Sequence, residues 1–157
     1  MWTTSHTGTT TASPAAVWAM IEALHSGTKI GPESDTFELH GPFAVGTTLT
    51  VTPQGQDPME STITHVEPER VYADVTVYGD ITLAFRHDLA PLPGGGTTVT
   101  HTLVIDGAGS DSVAPELGPQ ISADFPAALA ELFAAAEHGA PLTDSSESPA
   151  AVAPAEA

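Results

Sequence analysis

Residues 81–106 read ITLAFRHDLAPLPGGGTTVTHTLVID, and this stretch decides the fold. In its first half Ile81, Leu83 and Phe85 alternate with Thr82, Ala84 and Arg86. In its second half Val99, Leu103 and Ile105 alternate with Thr98, Thr100 and Thr102. A period of two is the signature of strands with one buried and one wet face. Between the halves, Pro93-Gly94-Gly95-Gly96 is turn chemistry, so the segment predicts a β-hairpin. Symmetric pairing about Gly94 sets His87 opposite His101, Phe85 opposite Leu103 and Leu83 opposite Ile105, which keeps every apolar residue on one face. On the first strand, His6 shares a face with Trp2.

Outward from the hairpin the chain continues in the same style, rich in Thr and Val with turn residues at short intervals. Strands are expected over 2–11, 35–40, 46–53, 59–67, 70–78, 80–90 and 97–106. In the fifth of these, Val71, Ala73, Val75 and Val77 read as the buried row, and Tyr72, Asp74, Thr76 and Tyr78 as the wet one. Glu60 and Asp88 also alternate to the wet side. Two helices flank the meander. Ser13 as N-cap and Pro14 at the first helical position open one that turns Val17, Trp18, Ile21 and Leu24 inward and stops near Gly27. Ile121, Phe125, Ala128, Leu129, Leu132, Phe133 and Ala136 mark one face of a second helix ending at Glu137, with Pro119 at its start. Pro126 falls inside it, where its ring opposes the carbonyl of Ser122 and predicts a kink. The fold class is therefore α+β: a seven-stranded curved antiparallel sheet wrapped around a long, kinked C-terminal helix. One domain is expected over 1–138, followed by a disordered Ala/Pro/Ser/acidic tail over 139–157.

Composition narrows the function. The 157 residues carry 20 Asp and Glu against three basic residues, a formal net charge of -17. That charge removes the counterion-release term that drives nucleic-acid binding, so no nucleic-acid partner is expected. Without cysteine, disulfides, thiolate nucleophiles and Cys-based metal sites are excluded. No apolar run reaches the roughly 18 residues of a membrane span, and the first residues lack a signal peptide's basic flank and apolar core, so a cytoplasmic protein without membrane insertion is expected. No phosphate-binding, dinucleotide-binding, zincin or serine-hydrolase motif is present. Neither a cofactor nor a metal is expected.

Four segments carry a family resemblance in order and spacing. They are Ala12-Ser13-Pro14-Ala15-Ala16-Val17-Trp18, Gly41-Pro42-Phe43-Ala44-Val45-Gly46-Thr47, Ile63-Thr64-His65-Val66-Glu67-Pro68-Glu69-Arg70, and Phe85-Arg86-His87-Asp88-Leu89 followed by residues 95–102. With the order β–α–six β–α, the chain resembles the START-like superfamily, also called SRPBCC or Bet v 1-like, and within it the polyketide cyclase/dehydrase group. The resemblance implies a helix-grip fold whose cavity, between sheet and C-terminal helix, holds a hydrophobic or aromatic small molecule. The short segment before Phe37 leaves little room for the family's second small helix. Members differ in chemistry, and fold does not fix function.

Two function classes follow. One is a binding or carrier module for a hydrophobic or aromatic small molecule, lined by Leu49, Val51, Ile63, Val75, Val77, Leu83, Phe85, His87, His101, Leu103, Ile121, Phe125 and Leu129. The other is a cyclase, aromatase or dehydratase in which an apolar pocket folds a carbonyl compound and a His, Tyr or bound water moves protons, with His87, His101 and His6 as catalytic candidates. A protein-interaction domain related to activators of chaperone ATPases is a further alternative, whose mark would be exposed apolar patches. His65 shares a face with Ile63 unless a bulge intervenes; His25, His40 and His138 sit at element ends with no assigned role. Paired carboxylates of the glycosidase kind are disfavoured because the strand acids alternate outward.

Overall fold

The computed structural model describes residues 1–31, 34–53 and 55–138; the expected tail over 139–157 lies outside the described residues. Strand β1 (Trp2–Thr10) leads into helix α1 (Pro14–His25). Strands β2 (Thr36–Leu39), β3 (Thr48–Thr52), β4 (Met59–Glu67), β5 (Val71–Tyr78), β6 (Ile81–Pro91) and β7 (Thr97–Gly107) follow, then helices α2 (Ser110–Ser122) and α3 (Phe125–His138). The strands form one curved antiparallel sheet in the order β1-β7-β6-β5-β4-β3-β2, so the last strand closes back on the first. No helix among the described residues lies between α1 and β2.

Local chemistry accounts for the element ends. Ser13 Oγ accepts from the Ala16 amide at 3.1 Å, and Pro14 occupies the first turn of α1. The β6–β7 register is the expected one, with His87 opposite His101, Phe85 opposite Leu103 and Leu83 opposite Ile105. His6 pairs in turn with His101 on β1.

The C-terminal helix corrects the sequence reading. It begins at Ser110, not near Ile121, and it breaks at Ala123–Asp124 into two segments. Pro115 and Pro119 lie inside α2, both exposed, so the hydrogen bonds they remove fall on its outer side. Pro126 sits in the first turn of α3, where a missing N–H costs nothing. The carbonyl its ring would oppose belongs to Ser122, the last residue of α2, and there the helix stops.

Side chains inside the curve form two apolar clusters. One gathers Val17, Ile21, Leu49, Tyr72, Leu129 and Leu132 between α1, α3 and the far half of the sheet. The other gathers Leu83, Leu103, Ile105, Ala114 and Phe125, with Trp2 and Ile121 packed against it, beneath α2. Two glycines set how closely the C-terminal helices approach β1. A Cβ on Gly8 would lie 2.9 Å from the Phe133 ring, and one on Gly118 only 2.4 Å from the Trp2 indole. Gly118→Ala is therefore expected to destabilise the protein by about 1–3 kcal/mol. The loss should largely disappear in the Trp2→Leu background; urea unfolding of both variants checks this, and an equal loss in that background would mean that the indole is not the obstacle.

Candidate functional site

Between the sheet and the C-terminal helices lies a cavity of about 530 Å³. Strand register builds its polar wall. Tyr72 on β5, His87 on β6, His101 on β7 and His6 on β1 stand side by side across four strands. Of these, Tyr72, His87 and His101 line the cavity, while His6 is half-buried beyond them. The His87 and His101 rings are stacked with centroids 4.0 Å apart, and His101 stacks on Phe125 at 3.8 Å.

The β5 face is the reverse of the one expected. Tyr72, Asp74 and Thr76 point into the cavity, and Val75 and Val77 point to the outer surface, where Val77 is 70% exposed. Pairing with His87, Phe85 and Leu83 places Tyr72, Asp74 and Thr76 on the inner side. Val71 and Ala73 stay covered on the outer side because their neighbours there include Arg86 and His65, whose long side chains shield apolar surface. Asp74, expected in water, is 5% exposed and accepts a hydrogen bond from the Tyr72 hydroxyl at 2.7 Å.

Of the other expected lining residues, Val51, Leu83, Phe85, Ile121, Phe125 and Leu129 face the cavity. Leu49, Ile63 and Leu103 are buried in the apolar clusters and do not reach it. A register shift between Ile63 and His65 turns His65 outward, where it meets Glu67. Residues that the sequence reading missed include His25, Ser61 and Thr76. Ser61 and Thr76 bond each other through their hydroxyls on the cavity wall. His25 is buried at the end of α1; its Nδ1 donates to the Ile21 carbonyl at 2.7 Å, which leaves Nε2 as an acceptor. Its ring lies 4.2 Å from that of Tyr72 and 4.6 Å from that of Phe37. The spacing Trp18, Ile21, His25 placed it on the inner helix face all along.

Burial controls the charge of these groups. It pulls the His25 imidazole down to about 4 and His101 to about 3, and it holds His87 well below its ordinary value with help from the neighbouring His101 and His25. All three are neutral near pH 7. The same burial pushes the Asp74 carboxyl up to about 6, against the opposing pull of the Tyr72 hydrogen bond. Tyr72 is raised above the ordinary phenol range by burial and by the adjacent carboxylate. Nδ1 of His87 and Nδ1 of His101 are buried without a hydrogen-bond partner, an uncommon condition for ring nitrogens. Among the described residues no group of three His, Asp or Glu side chains is placed to hold a metal ion.

A sheet curled round a broken helix, with an apolar cavity and a few converging polar groups, defines a ligand-holding helix-grip protein. The chain matches the family described as "Polyketide cyclase / dehydrase and lipid transport" over residues 1–137, and it belongs to that family, within the SRPBCC or Bet v 1-like superfamily. It is similar to the Zhui aromatase/cyclase from Streptomyces sp. R1128, with a TM-score of 0.67 and 17% identity over 87% of this chain and 94% of that one. It is also similar to norcoclaurine synthase from Thalictrum flavum in complex with dopamine and hydroxybenzaldehyde, with a TM-score of 0.65 and 15% identity over 84% of this chain and 83% of that one. At these identities the likeness is one of fold. No curated protein sequence matches the chain. None of the helices among the described residues is long and apolar enough to cross a membrane.

Proposed function

We propose that this protein binds a hydrophobic, aromatic small molecule in the cavity between its sheet and its C-terminal helices. The observation that carries this reading is the cavity itself, about 530 Å³ of space bounded on the sheet side by Leu83, Phe85 and the polar wall and on the helix side by Ile121 and Leu129. Such volume is the size of metabolite pockets. The polar side chains that line it, Ser61, Tyr72, Asp74 and Thr76 among them, suit a ligand that carries hydrogen-bonding groups.

In this reading the histidines orient the ligand and do not carry protons. An imidazole pulled down to about 3 or 4 is too weak a base to take a proton near neutrality, and the single N–H of its neutral form is too weak an acid to give one. The polyketide cyclase/dehydrase family and its aromatase/cyclase neighbour support the ligand class. An interaction-domain role has less support, because the exposed large hydrophobics are divided among the chain start (Met1), the turn before β3 (Val45), the end of β5 (Val77 and Tyr78) and α2 (Val113). Native mass spectrometry and thermal shift with bicyclic and tricyclic aromatic compounds test the proposal. We expect at least one compound to raise Tm by several degrees. Substituting Phe85 with Trp should narrow the cavity and reduce that shift, most for the tricyclic compounds, while the apo protein stays folded; an unchanged shift for every compound in Phe85→Trp would place the ligand elsewhere.

A further inference from the structure

The cavity holds a buried carboxylate and no positive charge to balance it. Asp74 is 5% exposed, its Oδ2 is fixed by Tyr72, and no group among the described residues donates to its Oδ1. None of the chain's three basic side chains lines the cavity. Lys29 Nζ is bound to the Ser34 carbonyl at 2.8 Å, Arg86 pairs with Asp88 on the outer face at 2.9 Å, and Arg70 is exposed. The groups that surround Asp74 cannot supply a cation either. Tyr72 beside it, His87 on β6, His101 on β7 and His25 on α1 are neutral near pH 7. Asp35 before β2, Asp124 at the helix break and Glu131 on α3 line the same cavity and are acids. A buried charge is ordinarily paired, and here the place opposite Asp74 is cavity space.

We propose that the ligand supplies the missing charge: the cavity takes an aromatic amine, whose ammonium group sits on Asp74 Oδ1 while its ring packs among the apolar side chains. This rests on the ligand-binding reading above and narrows it to one charge class. The Tyr72 and Phe85 rings stand beside Asp74, on its own strand and opposite it on β6, so the ammonium has aromatic surface as well as a carboxylate to meet. His101, 8% exposed and neutral, adds no repulsion on the same wall. A carboxylate or phosphate of the same shape finds no cation in the wall and four acids in it, and the overall charge of -17 opposes its approach.

Three probes with one ring system separate the terms: 2-(2-naphthyl)ethylamine, 2-(2-naphthyl)ethanol and 2-naphthylacetate, titrated calorimetrically into the full-length protein at pH 7.5. The amine is expected to bind at least about tenfold more tightly than the alcohol, and the acetate at least about tenfold more weakly. Asp74→Asn should remove the amine's advantage and leave the alcohol's affinity within about threefold. Near pH 6 the wild-type protein should release protons when it takes up the amine, because an ammonium beside Asp74 expels the proton its carboxyl holds there. Titration in two buffers of different ionisation enthalpy reads this release, and it needs no variant. Alcohol and amine binding equally well, or amine binding without proton release, would overturn the charge assignment and leave ligand binding standing. Failure of all three probes to bind would overturn both.

Discussion

Acidification from pH 7 to pH 4 is expected to unfold this protein, with a midpoint between about pH 4 and 5. His25, His87 and His101 are buried neutral with depressed pKa values, so each contributes stability that is present above about 6.5 and is lost as pH falls toward its folded value. Each such group costs about 1.4 kcal/mol per pH unit in that window. Asp74 works in the opposite sense. Its raised carboxyl contributes stability below the ordinary 3.8 that is lost as pH rises through about 6, so acidification restores it. Three imidazoles against Asp74, with a smaller opposing part from the half-buried Asp124, whose carboxyl burial also raises, leave a net loss of about 2–3 kcal/mol per unit, and two such units remove much of a typical domain's stability of about 5–15 kcal/mol. Far-UV circular dichroism against pH checks the midpoint, and a protein still folded at pH 3.5 would contradict it. His101→Gln, which cannot take up the proton, should move the midpoint to lower pH.

Replacing Phe125 with Ala should cost about 3 kcal/mol and change the titration of a residue it touches. The ring is 3% exposed, packed in the cluster beneath α2 and stacked on His101 at 3.8 Å. Phe→Ala in a closed core costs about 3–5 kcal/mol; the adjoining cavity leaves Phe125 fewer packed neighbours than a closed core would and favours the lower end. Removing the ring also opens the His101 imidazole to cavity water. Its pKa should climb from about 3 toward the ordinary 6.5, which histidine proton resonances followed against pH would report. Phe125→Leu should keep most of the stability and a smaller part of the shift. A loss below about 1 kcal/mol with an unmoved His101 would mean that the ring borders the cavity without shielding its neighbour.

The hairpin was legible because one turn pinned it. With Gly94 at the centre, alternation on both arms left a single register that hid every apolar residue, and the histidine row came with it. Alternation misled on β5, where valines and polar residues also alternate, because the wall facing the cavity is the polar one. β-branched residues suit an exposed strand face, and a cavity wall is a place where apolar-in patterning gives way. Asp74 was lost to that error, and with it the carboxylate that β5 contributes to the cavity wall. The start of the C-terminal helix was hidden by Pro115 and Pro119, which read as breakers unless the helix face they occupy is known to be wet. His25 carried its signal in the open, on the inner face of α1 with Trp18 and Ile21, but its place at the helix end concealed it.

The break at Ala123–Asp124 divides the interior as well as the helix. Leu129 and Leu132 of α3 belong to the cluster shared with α1, whereas Ile121 of α2 and Phe125 at the start of α3 belong to the cluster shared with Trp2, Leu103 and Ile105. The cavity touches Leu129 and Leu132 on one side and Leu83, Ile121 and Phe125 on the other. An occupant of that space would touch both half-cores at once and serve as the interior's keystone, joining through its own surface two clusters that share the sheet and the first turn of α3. Under the proposed function, ligand binding and folding cooperativity would be one property of this chain: two hydrophobic cores on a common sheet would become one when the space between them is filled.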